Sequence, residues 1–111
     1  MFYRLYTGDD GQSHIEELDL GKGPIAWEEI QKASGAVFRK QDAGYFSDWH
    51  CAPRRQYIIT LAGGVEIGLG DGTVKRFGPG DVMLADDLTG QGHTTRVVGQ
   101  EQRVSAVIVL D

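Results

Sequence analysis

The chain has 111 residues, room for one domain with one core and too few for two. Its formal net charge is −5 and no Lys/Arg stripe is visible, which argues against nucleic acid or an anionic membrane as partner. Glycine is abundant, at 16 residues, while helix-favouring runs are scarce, so many short strands joined by tight turns are expected.

In chain order, Phe2 to Tyr6 reads as a first strand, with Gly8–Ser13 as a turn and His14 to Leu20 pairing back. Trp27, Ile30 and Ala33 are spaced for one face of a short helix that Gly35 would stop. From Ala36 the apolar period becomes two, and Ala36–Lys40 reads as a strand. Tyr57–Leu61 is apolar on both faces, as a central strand would be. Val65, Ile67 and Leu69 alternate with Glu66 and Gly68, Asp71-Gly72 gives a hairpin turn, and Thr73–Phe77 returns. Val82–Ala85 is a short buried strand, and the polar, glycine-containing stretch Asp86–Gly92 reads as a loop able to act as a lid. His93–Val98 and Arg103–Leu110 read as a closing hairpin. Eight or nine short strands predict an antiparallel sandwich or barrel, with an exposed edge that a second copy could cover.

Cys51 is the only cysteine, so no internal disulfide forms, and its place in the strand pattern makes it a small hydrophobe pointing away from any site. His14 reads as a surface histidine. The first residues show no basic-then-apolar leader, and no apolar run approaches membrane-spanning length, so a cytoplasmic protein is expected.

One segment stands out, running from Gly44 through His50, Ala52 and Gln56 to Gly63. It resembles the first cupin motif: a glycine, five residues, His-x-His, three residues, Glu, six residues, glycine. Both glycines and the first histidine are in place, whereas Ala52 and Gln56 stand where the second histidine and the glutamate would be. Gly80 to His93 loosely resembles the second cupin motif, with a longer loop, Asp86 near the usual proline, and Val97 where an asparagine is usual. The resemblance implies an all-β, cupin-type jelly-roll barrel over about residues 36–111. Strands and the short helix of residues 1–35 complete a single domain.

On a continuous strand, His50, Ala52, Arg54 and Gln56 would share one face, with Ile58 and Thr60 deeper. His93 would face them from a second strand. The expected ligand-binding set is therefore His50, Arg54, Gln56, Ile58, His93 and Asp86, with Arg54 able to anchor an acidic ligand. His50 and His93 are the candidate acid–base residues, one ring oriented by Asp86 or Asp87. Metal-binding cupins use three histidines and a glutamate. Here His50, Gln56 and His93 would be the ligands for any divalent transition metal, an incomplete set. The leading expectation is a metal-independent, small-molecule-binding cupin, isomerase- or epimerase-like on a small acidic or sugar-like metabolite, and a homodimer. A metal-dependent dioxygenase- or lyase-type enzyme and a non-catalytic sensing or interaction domain are the alternatives.

Overall fold

The computed structural model describes residues 1–111. Ten strands run β1 (Phe2–Thr7), β2 (Ser13–Glu17), β3 (Ala33–Gln41), β4 (Phe46–His50), β5 (Gln56–Ala62), β6 (Gly64–Gly68), β7 (Val74–Phe77), β8 (Val82–Asp86), β9 (His93–Val98) and β10 (Arg103–Leu110). They form a six-stranded sheet ordered β2-β1-β8-β5-β10-β3 and a four-stranded sheet ordered β4-β9-β6-β7. No helix is long and apolar enough to cross a membrane.

Alternation explains how the sheets close on each other. Tyr3 and Leu5 of β1, Met83 and Ala85 of β8, and Val65 and Ile67 of β6 point between the sheets and make the main core with Phe77 and Leu69. Tyr3 meets Phe77 edge-to-face, with ring centroids 5.1 Å apart. The residues in between build a second cluster on the outer face of the larger sheet. There Leu84, Tyr57 and Leu110 are covered by Leu18 and Ile25, with Phe2 and Trp27 packed against them. A strand buried on both faces reads as a continuous apolar run, as β5 does between β8 and β10.

Four expectations are corrected. The segment around Trp27, Ile30 and Ala33 is a series of turns with no helix: Glu28 adopts a positive φ of 61°, and Ala33 already opens β3. Trp27 turns inward onto Phe2, with centroids 5.0 Å apart, while Ile30 lies in solvent, so the three residues share no face. Next, β9 and β10 are not a hairpin. β9 pairs with β4 and β6, whereas β10 pairs with β3 and β5, so Gly99–Gln102 crosses from one sheet to the other. Pairing is not wholly antiparallel either, because β1 runs parallel to β8. Finally, Asp86–Gly92 is tied down and is no free lid. The backbone N–H of Gln91 donates to the Gly11 carbonyl at 3.0 Å, Thr7 Oγ1 to the Thr89 carbonyl at 3.0 Å, and Cys51 Sγ to the Gly90 carbonyl at 3.3 Å.

Candidate functional site

A cavity of about 340 Å³ opens between the two sheets. Its polar wall begins with a cross-strand pair: His50 ends β4 directly opposite His93, which starts β9. Their ring centroids lie 4.4 Å apart. Gly92 makes this approach feasible. It holds a positive φ of 79°, and a side chain there would run into the His50 carbonyl.

Behind His93 lies Asp87, with no exposed surface. Its Oδ2 is 2.5 Å from His93 Nδ1 and accepts a hydrogen bond from Ser13 Oγ at 2.7 Å. The Ala52 backbone N–H donates to Asp87 Oδ1 at 3.3 Å and to the Asp87 carbonyl at 3.1 Å. One carboxylate thus joins the β2 entrance, the loop before His93 and the chain after His50. The bond to Asp87 places a proton on Nδ1 of His93 and leaves Nε2 as its basic nitrogen. In His50, Nδ1 lies 2.6 Å from the Asp48 carbonyl, which places its proton there in the same way. Ser47 Oγ is 3.2 Å from the same nitrogen. Both rings therefore keep an Nε2 lone pair free of backbone or carboxylate bonds.

The rest of the cavity lining includes the apolar Ile58, Ile67, Met83 and Ala85 and the basic Arg39 and Arg103. Arg103 is 7% exposed; burial, and then the neighbouring Arg39 charge, pull its guanidinium down to about 10, which leaves it cationic at neutral pH.

The expected site residues divide. His50, Gln56, Ile58 and His93 line the cavity, and so does Ala52. Arg54 does not: it is exposed on the bend between β4 and β5. β4 ends at His50 and β5 begins at Gln56 in the other sheet, so no continuous strand links residues 50 to 56 and parity says nothing about Arg54. Asp86 is also outside. It follows the cavity residue Ala85 on β8 and so faces the opposite way, where Arg4 Nη2 reaches it at 3.1 Å and Arg55 Nε at 3.5 Å. Cys51, expected to point away, lines the cavity for the same reason that Arg54 does not. His14 lies apart from the cavity, between the Tyr6 ring and the Asp10 carboxylate.

Sequence reasoning missed Arg39, Gln41 and Arg103. A signal existed, because Arg103 shares the parity of Ser105 and Val107, the buried face of β10.

The donor set does not fit a resident divalent metal of the usual cupin kind. Two imidazoles meet an alanine and a neutral carboxamide, Asp87 spends its oxygens on Ser13, Ala52 and His93, and no group of three His, Cys, Asp or Glu side chains converges anywhere in the chain.

No protein-family model matches this chain, and no curated protein is significantly similar to it. Solved structures are similar in shape. A cupin 2 conserved barrel domain protein from Salinispora arenicola superposes with a TM-score of 0.57 at 20% identity, over 78% of this chain and 71% of that one. The cupin domain of Cnp3 from Schizosaccharomyces pombe superposes with a TM-score of 0.56 at 14% identity, over 89% and 72%. The chain has the cupin fold. An uncharacterized conserved protein with a double-stranded β-helix domain, from Klebsiella pneumoniae, gives 0.54 at 21% identity over 79% and 81%. At such identities the shared property is the cupin barrel, and barrels of one fold carry unrelated chemistries.

Proposed function

We propose that this cupin domain binds a small metabolite in the barrel and moves a proton on it without a metal, as an isomerase does. The observation that carries this reading is the Asp87–His93 pair beside His50. A carboxylate with no exposed surface fixes the His93 tautomer and stabilises the imidazolium that forms when Nε2 takes a proton.

The spacing of the two rings favours one kind of proton transfer. His50 and His93 come from neighbouring strands and lie 4.4 Å apart, so they serve the same side of a bound molecule. Inversion by two bases needs them on opposite sides. A shared side suits transfer between adjacent carbons: Nε2 of His93 removes a proton beside a carbonyl, the electron pair forms an enediol, and the proton returns to the neighbouring carbon. His50 is placed to move the hydroxyl proton. The ligand class is a small acidic or sugar-like hydroxy-carbonyl compound.

The test is deuterium uptake. Hydroxy-aldehydes, hydroxy-ketones and keto acids are incubated with the protein in D2O and followed by NMR. Exchange beside the carbonyl that survives chelation and is lost in His93→Asn supports the reading. Exchange that stops on chelation and returns with added metal overturns it, as does the absence of exchange with any of these compounds.

A further inference from the structure

Arg103 is a cation without a counter-ion in the interior of the barrel. It opens β10 opposite Gln41 of β3 and is 7% exposed. Its Nη1 donates to Gln41 Oε1 and its Nη2 to Thr60 Oγ1, each at 3.3 Å, both neutral acceptors at long range. Its Nε is buried with no partner at all. None of the ion pairs in the chain includes it, and the charge that acts on it is another cation, Arg39. Holding a guanidinium in this way is costly, since buried charges are ordinarily paired. A purely structural role is poorly served by two long bonds. Arg103, Arg39 and Gln41 all line the cavity that contains the histidine pair.

We infer that Arg103 receives an oxyanion of the ligand, a carboxylate or a phosphate, with Arg39 at the rim assisting. The planar guanidinium can turn its two Nη groups, held only by neutral acceptors at 3.3 Å, toward two oxygens of such a group. The inference deepens the proton-transfer reading, on which it rests for what happens at the other end of the ligand.

The test uses the full chain and two probes, malonate and inorganic phosphate, at millimolar concentration against sodium chloride of equal ionic strength. The expected result is a rise of a few degrees in Tm with at least one probe, together with movement of the Arg103 Nε–H signal in a nitrogen-15 NMR titration. Arg103→Met should abolish the rise, and its own Tm should match or exceed that of the parent because a buried charge has been removed. Arg39→Gln, an exposed change, should weaken the response and leave the fold intact. A response to malonate alone identifies a carboxylate, and one to phosphate alone identifies a phosphate. The inference is overturned if neither probe exceeds chloride, or if Arg103→Met responds as the parent does. In the parent protein, an anion response without proton exchange strikes the enzymatic reading alone, and proton exchange without an anion response strikes this inference alone.

Discussion

Asp87 is wholly buried and lies 2.5 Å from the Nδ1 of His93, so the loop that delivers the histidine also carries its orienting carboxylate. Removing that carboxylate strands two donors, the Ser13 hydroxyl and the His93 ring N–H, and leaves the Ala52 N–H with only its bond to the Asp87 carbonyl. Asp87→Ala is expected to destabilise the fold by about 3 kcal/mol or more, because buried donors left unmatched cost about 1–3 kcal/mol each. Ser13→Ala should cost only about 1 kcal/mol. Urea unfolding of both variants checks the order; equal costs would show that Asp87 is not the hub.

Proton exchange should divide by residue. His93→Asn is expected to lose at least about a hundredfold in deuterium uptake, the scale of general-base catalysis. His50→Asn should lose less, since His50 has only a backbone carbonyl and a serine hydroxyl behind it. Rates measured on folded variants at one pH decide the order.

Restoring the missing donors should create a metal site. Ala52 and Gln56 both line the cavity with the two histidines. The double change Ala52→His, Gln56→Glu is expected to bind cobalt at least about a hundredfold tighter than the parent, since stable sites need three or more protein ligands. The visible absorption of bound cobalt reports it directly, and no gain would mean that residues 52 and 56 do not converge with the histidines.

The β6–β7 turn carries a pH-dependent contribution. Asp71 is held below the ordinary carboxyl value of 3.8, first by the Thr73 side chain and next by the Thr73 backbone N–H, which donates to it at 2.8 Å. A depressed carboxyl pKa contributes stability that is present above the unfolded value and is lost as pH falls through the folded one. A carboxyl NMR titration should therefore place Asp71 below 3.8, and Thr73→Ala should move it upward. A midpoint at or above the ordinary value in the parent would contradict the turn geometry.

β3 has a partner on one side only, β10, and exposes Val37 and Phe38. Unpaired strand edges recruit further strands. The expected outcome is a dimer of this chain by sedimentation at micromolar concentration, shifted toward monomer by Phe38→Asp. A parent that sediments as monomer removes the expectation.

Most of the strand framework was legible because a strand writes its burial every second residue. The alternations in β6 and β9, the short buried run of β8 and the Asp71-Gly72 turn are local facts of the chain. His50, Gln56 and His93 could likewise be marked out by spacing. Arg54 and Asp86 failed for two different reasons. Parity stops at the break after His50, where the chain changes sheets, and on β8 it turns Asp86 away from the cavity that Ala85 lines.

The sequence by itself determined the all-β character, the approximate strands and the two histidines, since each follows from short-range periodicity or motif spacing. Tertiary structure alone decided which strands pair and which carboxylate meets which histidine. Asp87 reaches Ser13 across 74 positions, and Arg103 reaches Gln41 across 62. Such encounters depend on how two sheets close over one cavity, and nothing local in the chain encodes that closure.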